Sequence, residues 1–168
     1  GYKVIPNYTY RINLQQSIET IKSNFDSKNR NAINKAIKEG AVVEDSTITK
    51  TEEFNYFKTT LSATGANIYE PILENIFLKF SDTSNSFCLT AKKDNTVLGM
   101  VFCVYDQHNC YYMLGGVDKK SGIQGVNNLL VQKCIEKSKD LGCTTFDFEG
   151  SMLKGVEKFF RSFGPELF

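Results

Sequence analysis

Histidine is almost missing from this sequence and tryptophan is missing altogether, with one histidine and no tryptophan among 168 residues. The one histidine, His108, lies between two predicted strands in a run of turn-forming residues, Asp106 to Asn109, where we expect an exposed turn residue. A zinc site or a Ser-His-Asp arrangement needs histidine within a constellation of ligands or partners. The sequence therefore predicts neither kind of site, and it predicts no bound metal.

An excess of charge of either sign is also lacking. Lysine and arginine number 20 against 19 aspartate and glutamate residues, which gives a net charge of +1. No overall field recruits DNA or an acidic membrane, so any anion site must be local. The longest apolar runs are far shorter than the roughly 20 residues that a membrane-spanning helix needs. We therefore expect no DNA partner and no membrane span.

The cysteines lack the spacing of a metal site or of a disulfide framework. There are five of them, scattered along the chain: Cys88, Cys103, Cys110, Cys134 and Cys143. This usage is typical of reduced core residues in a cytoplasmic protein.

The hydrophobic content of 41% and charged content of 23% are ordinary for a soluble globular protein. We expect a single domain over residues 1–168.

The most informative stretch runs from Cys110 to Gly150. Its pattern predicts, in order, a strand, a glycine pair, a glycine-punctuated basic turn, a long amphipathic helix and a short strand: Cys110 to Leu114, Gly115-Gly116, Lys119 to Gly125, Gln124 to Leu141 and Thr145 to Glu149. A connection that long, containing a helix, calls for a right-handed parallel β-α-β crossover. The crossover brings the carboxyl ends of both strands and the amino end of the helix to one sheet edge, where ligands bind in open α/β sheets.

The rest of the chain supplies helices and then an antiparallel meander. Tyr2 to Pro6 and Tyr8 to Leu14 are predicted to be extended, and Ser27 is predicted to cap a helix that ends at Gly40. Thr49 and Glu52 have the spacing of a capping box. Two strands, Ser86 to Lys92 and Val97 to Tyr105, precede the Cys110 strand. The fold class is therefore α+β, with a mixed central sheet and helices on both faces.

The turn ahead of the long helix is the first candidate site. Glycines at 122 and 125 let backbone N–H groups converge, and the amino end of the helix adds partial positive charge. Lys119 and Lys120 would reinforce a phosphate site there. The alternative is that these glycines only form a turn.

The glycine pair Gly115-Gly116 is the second candidate. If its strand splays from the parallel neighbour, exposed N–H groups could donate hydrogen bonds to a carbonyl oxygen, as an oxyanion hole does. A bulge or a close backbone approach would explain the same two glycines without any chemistry.

Charged side chains near the last strand and on the second helix form the third candidate. Asp147 and Glu149 are two residues apart, so strand alternation places both carboxylates on one face. Either could accept a proton at the carboxyl end of the strand. Arg161, Arg30 and Lys28 could meet an anionic substrate, or they could lie on solvated faces.

Taken in order, these residues resemble a known family. The order of meander, glycine turn, long helix, parallel strand and helix is similar to that of the GNAT acyltransferase superfamily, and it predicts the GNAT-like fold. More narrowly, the chain resembles the second lobe of Fem-type peptidoglycan aminoacyltransferases and their CelD-like acetyltransferase relatives. The resemblance is carried by four stretches: Ser27 to Ala36, Tyr111 to Gly116, Phe146 to Ser151 and Phe159 to Gly164.

The resemblance implies direct transfer of an acyl or aminoacyl group to an amine, with acetyl-CoA or another acyl-CoA, or an aminoacyl-tRNA, as donor. The acceptor would be a small-molecule amine, such as an amino sugar, or a cell-wall precursor. The family's carbonyl-polarising backbone would fall at Leu114 to Gly116, and its pyrophosphate loop at Lys120 to Gly125. Fem-type proteins have two such lobes. We therefore expect this chain to be the C-terminal lobe of a longer protein, with a second GNAT-like lobe as partner.

Two departures from the family pattern favour a second hypothesis. The superfamily loop has Arg or Gln, two residues, Gly, one residue, then Gly or Ala. Registered on Gly125, this chain has Gly122 and Asn127 at the outer positions. Fem-type enzymes also carry a lysine where this chain has Phe160, followed by Arg161. The alternative is a catalytically silent lobe that binds a precursor or a partner lobe.

Overall fold

The structure is a computed structural model that describes residues 8–63, 70–150 and 154–168. The strand predicted at Tyr2 to Pro6, and Ser151 of the Phe146 to Ser151 stretch, lie outside these residues.

A mixed sheet forms the middle layer. The strands are β1 (Tyr10–Asn13), β2 (Val42–Asp45), β3 (Ser86–Lys93), β4 (Thr96–Tyr105), β5 (Asn109–Val117), β6 (Thr145–Asp147) and β7 (Glu166–Leu167). Within the residues that the structure describes, these seven strands lie in the order β2-β3-β4-β5-β6-β1-β7. The pairing of β5 with β6 is parallel, while the meander β3-β4-β5 is antiparallel. The predicted meander and crossover are thus confirmed.

Helices cover both faces of the sheet. They are α1 (Ile18–Ser23), α2 (Ser27–Lys38), α3 (Lys50–Ser62), α4 (Glu70–Ser81), α5 (Val126–Asp140) and α6 (Lys154–Arg161). Buried residues of α1, α2, α5 and the α6 region form one core cluster with the sheet, and buried phenylalanines of α3 and α4 form a second cluster. We call these the α5 face and the α3 face. The predicted arrangement of helices on both faces is confirmed.

Local signals explain where the helices begin. The capping box predicted for α3 is present, because the Thr49 hydroxyl accepts from the Glu52 N–H and the Glu52 carboxylate accepts from the Thr49 N–H. The cap predicted for α2 is displaced by one residue. Asp26 caps this helix by accepting from the Asn29 N–H at 2.6 Å, and Ser27 is its first residue. A carboxylate there also complements the positive end of the helix.

The strand β5 is longer than predicted. The sequence places its end at Leu114, whereas the structure continues it to Val117, with Gly115 and Gly116 paired opposite Val101 and Met100 of β4. The glycine pair therefore lies inside a strand. Backbone pairing on the β4 side maintains the extended conformation even though glycine has a low strand propensity.

A bulge at Met113 changes the phase of β5. The register passes from Tyr112 opposite Cys103 directly to Leu114 opposite Phe102, which leaves Met113 as the extra residue. Cys110 and Tyr112 pack on the α5 face, while Met113 and Leu114 both pack on the α3 face. Before the bulge, even-numbered residues of β5 therefore lie on the α5 face. Beyond the bulge, odd-numbered residues lie on that face instead.

The strand β6 is shorter than predicted and ends at Asp147 rather than Glu149. Glu149 and Gly150 both adopt left-handed backbone conformations, with φ of 59° and 66°, which lie outside the extended region of a regular strand. A side chain at residue 150 would overlap the Tyr8 carbonyl, and the Phe148 N–H donates to the Tyr10 carbonyl at 2.9 Å. The chain therefore turns toward β1 at this point.

As a result, β5 and β6 separate. They pair only from Asn109 opposite Thr145 to Tyr111 opposite Asp147. We call the opening between Tyr112–Val117 and Phe148–Gly150 the β5–β6 gap. Among the described residues, no helix has the length and apolar character needed to cross a membrane.

Two glycines with the same backbone conformation offer a test of how the turn before α5 packs. Gly122 and Gly125 have φ of 71° and 82°. A Cβ at Gly122 meets open space, whereas a Cβ at Gly125 would overlap the Ala32 carbonyl of α2. We expect Gly122→Ala to lower the free energy of unfolding by about 1 kcal/mol, the cost of a left-handed alanine. Gly125→Ala should cost at least about 3 kcal/mol, because strain and overlap add.

Urea unfolding of both variants measures the difference. Equal destabilisation by the two substitutions would contradict the close approach of α2 to the turn.

Candidate functional site

The glycine pair lies between two hydroxyl groups. A Cβ at Gly115 would overlap the Tyr112 hydroxyl on the α5 face, and a Cβ at Gly116 would overlap the Thr60 hydroxyl of α3 on the other face. A larger residue at position 115 or 116 would therefore require Tyr112 or Thr60 to move, which gives a packing reason for both glycines. The bulge that the sequence left open as an alternative lies at Met113 rather than at the glycine pair, and the close contacts at the pair are with side chains rather than with backbone. Both glycines border the β5–β6 gap.

Asp147 is buried and accepts three hydrogen bonds. Its carboxylate accepts from the Thr9 hydroxyl, from Arg11 Nε at 2.7 Å and from the Glu149 N–H at 2.8 Å. The side chain is 5% exposed, and the ion pair with Arg11 ties β6 to β1. Since both of its oxygens accept hydrogen bonds from the protein, this carboxylate holds the end of β6 in place rather than facing a ligand.

Glu149 differs from Asp147 in each of these respects. It follows the last residue of β6 by two positions, at the mouth of the gap, and its side chain is exposed. Partial desolvation raises the pKa of its carboxyl group, the Asp147 charge raises it further, and Arg11 lowers it. Of the two carboxylates predicted from the sequence, Glu149 is the one free to exchange a proton with a ligand.

The turn before α5 presents unsatisfied donors. Lys119–Ser121 form a 3₁₀ turn, shaped by the Lys120 N–H donating to Asp118 Oδ1 at 2.9 Å. The N-cap of α5 is Gly125, which makes no side-chain capping bond, so the first-turn N–H groups lack a side-chain acceptor. Lys119 and Lys120 are exposed, and among the described residues neither forms an ion pair.

Two further polar atoms near this turn lack partners. Oδ1 of Asn127, in the first turn of α5, and the hydroxyl of Tyr56, on α3 beside Asp118, are buried without a hydrogen bond within the described part of the chain. Burial raises the pKa of Tyr56 to about 12. An unsatisfied buried polar atom costs free energy that a bound ligand can recover.

The predicted substrate-binding cations have different environments. Arg30 donates to the carbonyls of Ser23 and Phe25, so it closes the turn between α1 and α2. Arg161 is 65% exposed and lies 3.5 Å from Glu157 on α6. Lys28 is exposed on α2 and forms no ion pair in the part of the chain that the structure describes.

The structure thus brings the glycine pair and Glu149 to the same gap, with the basic turn following β5. Sequence reasoning missed Tyr112, Thr60, Tyr56 and Asn127. Tyr112 and Gly115 are three residues apart, a spacing that places them on opposite faces of a regular strand. They share a face only because of the bulge, which no sequence signal marks.

Similar proteins include several solved structures. FemX superposes with a TM-score of 0.82 at 14% identity, covering 98% of this chain and 60% of that chain. The C-terminal domain of a putative lysylphosphatidylglycerol synthetase from Agrobacterium fabrum has a TM-score of 0.68 at 12% identity, with 96% and 57% coverage. An aminoglycoside acetyltransferase from an uncultured soil metagenomic sample, solved with trehalose, has a TM-score of 0.59 at 16% identity, with 77% and 90% coverage.

At these identities the likeness shows the fold alone, and the chain spans about 60% of the length of FemX. No curated protein has significant similarity to the chain. The family model described as an acetyltransferase (GNAT) domain matches residues 27–161, which includes the bulged β5, the basic turn and both ends of the gap. The chain therefore belongs to the GNAT acetyltransferase domain family.

Proposed function

We propose that this domain transfers an acetyl or aminoacyl group to an amine acceptor in the β5–β6 gap. Membership of the GNAT family supports N-acyl transfer as the general activity. The observation that carries the proposal is the separation of β5 from β6 after three residue pairs. It leaves peptide groups of β5 facing an opening that Glu149 borders.

The Gly115 N–H is the group that we assign to polarising the acyl carbonyl. Both the Thr144 and Thr145 N–H groups donate to the His108 carbonyl, so even-numbered peptide groups ahead of the bulge turn toward β6. The bulge shifts this phase, and the peptide groups of Gly115 and Val117 then turn toward the gap. A backbone N–H aimed at a carbonyl oxygen stabilises the negative charge that develops there.

The basic turn is the proposed site for the phosphates of the donor. Uncapped N–H groups of α5, two exposed lysines and the glycine Gly122, which has open space around it, suit a phosphate. We propose an acyl-CoA as donor, which supplies the acyl group as an activated thioester. Lys119, Lys120, Gly122 and Gly125 would hold it. An aminoacyl-tRNA, whose backbone also carries phosphates, is the alternative donor.

Glu149 is the proposed proton acceptor. An amine attacks a carbonyl only as the neutral base, so a proton acceptor must take up the proton that the nitrogen loses, and a carboxylate can do this. The exposed Glu149 carboxylate has no hydrogen bond within the described residues, whereas Asp147 is occupied by Thr9, Arg11 and the Glu149 N–H. The Asp147 carboxylate therefore positions Glu149 by accepting a hydrogen bond from the Glu149 backbone N–H.

The acceptor is proposed to be a cell-wall precursor or an amino sugar. FemX is longer than this chain, and an acceptor cleft could form between this domain and a second GNAT-like lobe. Lys28 is exposed on α2 and forms no ion pair with the residues that the structure describes, so it is available to meet an anionic acceptor. Arg161 would have to leave Glu157 to do so.

A catalytically silent lobe is the second candidate. Phe160 supports it, because this residue is 4% exposed and its ring packs against Tyr112 and Phe148, where it can contact no charged group of a substrate. A silent lobe would bind a precursor or a partner without acyl transfer.

Neutralising the basic turn tests the donor site. We expect the double variant Lys119→Gln, Lys120→Gln to bind acetyl-CoA about 3- to 10-fold more weakly by calorimetry, because exposed charge pairs contribute about 0.2–1 kcal/mol each. The loss should shrink at high salt. Lys79→Gln, an exposed lysine on α4, is the control and should bind as the wild type does. Binding that is equal in all of these proteins would exclude the turn as the phosphate site.

Removing the carboxylate of Glu149 tests its role in transfer. We expect Glu149→Gln to lower kcat/KM by at least about 100-fold with acetyl-CoA and an amine acceptor. In the wild type, kcat/KM should fall as the pH drops through the raised pKa of Glu149, because protonation removes the base. That loss should occur at a higher pH than for an ordinary glutamate.

Asp147→Asn is the matched comparison at the neighbouring carboxylate. It breaks the ion pair with Arg11 and should lower the melting temperature, which Glu149→Gln should leave unchanged. A Glu149→Gln protein with the wild-type rate and pH profile would refute the assignment of the base.

A further inference from the structure

We propose that the Tyr112 hydroxyl is a second hydrogen-bond donor to the acyl carbonyl oxygen, beside the Gly115 N–H. This inference rests on the proposed acyl transfer in the β5–β6 gap and adds one residue with a defined role to it.

The position of the hydroxyl is the first argument. It occupies the space where a Cβ of Gly115 would lie, so it is in contact with the residue whose N–H faces the gap. The bulge at Met113 creates this arrangement by bringing residues 112 and 115 to the same face. A carbonyl oxygen close enough to accept from the Gly115 N–H would therefore have the Tyr112 hydroxyl as a neighbour.

The packing of the ring is the second argument. Its centroid is 6.4 Å from that of Phe148, next to the end of β6, and 5.6 Å from that of Phe160 on α6. The phenol thus extends from β5 to the opposite wall of the gap. Contacts on two sides fix its orientation, so the hydroxyl needs no reorganisation when charge develops on an oxygen beside it.

The free state of the hydroxyl is the third argument. Within the described residues it makes no hydrogen bond. By contrast, the hydroxyls of Tyr10, Tyr105 and Tyr111 each have a partner: Glu157, the Ser84 carbonyl and Asp106. Burial raises the pKa of Tyr112 far above its usual value, so the group keeps its proton and can donate at any pH at which the protein works.

The transfer step balances with Tyr112 as a donor only. As the amine nitrogen forms its bond to the carbonyl carbon, the π electron pair moves onto the oxygen, and the hydroxyl and the Gly115 N–H stabilise the charge. When that pair returns, the bond from the carbonyl carbon to the donor's leaving atom breaks, and that atom departs with the bonding pair. The amine proton passes to Glu149, and Tyr112 retains its own proton throughout.

Tyr112→Phe removes the hydroxyl and retains the ring. Tyr111→Phe is the matched control, because it deletes the hydroxyl of the adjacent tyrosine, which is bonded to Asp106. The first readout is the infrared carbonyl band of bound acetyl-CoA, labelled with ¹³C at the carbonyl carbon. We expect the band to lie at lower frequency on the wild type and on Tyr111→Phe than in solution, and to move back toward the solution value on Tyr112→Phe.

The second readout is the steady-state rate. We expect Tyr112→Phe to lower kcat on the order of 100-fold with KM for acetyl-CoA nearly unchanged, since the bond strengthens as charge develops. The melting temperature should stay at the wild-type value, because the ring contacts remain. These results together would support the inference.

Three outcomes overturn the inference. They are an unchanged carbonyl band and kcat in Tyr112→Phe, equal losses in Tyr111→Phe and Tyr112→Phe, and an effect on KM alone. An unshifted band and no transfer in the wild type would instead overturn the proposed transfer from an acyl-CoA donor, and this inference with it. The wild-type result therefore separates the two failures.

Discussion

The early end of the pairing between β5 and β6 is the constraint on which the rest of the structure depends. A parallel pair could continue along the whole of β5, because β5 stays extended to Val117. It stops because the end of β6 is hydrogen-bonded to β1 and the residue before it. The Asp147 carboxylate accepts from Thr9 and Arg11, and the Phe148 N–H donates to the Tyr10 carbonyl. The left-handed residues Glu149 and Gly150 then turn the chain away. Each backbone group left unpaired costs free energy unless water or a ligand satisfies it, so the opening is suited to binding polar groups.

Aromatic packing offsets part of that cost. Phe148 contacts Phe146, Phe160 and Phe163 as well as Tyr112, with centroid separations from 4.7 to 6.4 Å. These rings fill the α5 face where the sheet has opened, and such pairs contribute about 0.5–1.5 kcal/mol each beyond their burial. The strands β5 and β6 can therefore separate without leaving a cavity in the core, because aromatic rings fill the space on the α5 face. The same packing gives a physical reason for Phe160, whose side chain closes the cluster next to Tyr112.

The sequence predicted the large features because they depend on spacing. The long interval between β5 and β6, filled by an amphipathic helix, favours a parallel crossover. The capping box at Thr49 and Glu52 is a local interaction. The bulge could not be predicted in the same way. Residues 111–114 are all apolar or aromatic, so the alternation that would reveal a change of phase is absent there. The end of β6 was misplaced because its left-handed turn is imposed by Tyr8, more than 100 residues earlier in the chain.

The candidate site was predictable to a similar degree. Alternation placed Asp147 and Glu149 on one face but did not distinguish them, since only the tertiary structure brings Arg11 and Thr9 to Asp147. The glycine pair lies beside the gap, where the sequence analysis expected a separation of the strands, and the packing of Tyr112 and Thr60 gives a reason for its composition. The sequence did not predict Tyr112 as a site residue, because its proposed hydrogen bond to the acyl carbonyl oxygen depends on the bulge.

The central claim is that the Gly115 N–H faces an open gap that an acyl donor enters. Amide hydrogen exchange at Gly115, measured by NMR with and without acetyl-CoA, tests this claim most directly. The account predicts rapid exchange at Gly115 in the free protein, slower exchange when acetyl-CoA is bound, and slow exchange in both states at Cys110, where β5 is paired on both sides. Slow exchange at Gly115 in the free protein, or exchange that saturating acetyl-CoA leaves unchanged, would contradict it.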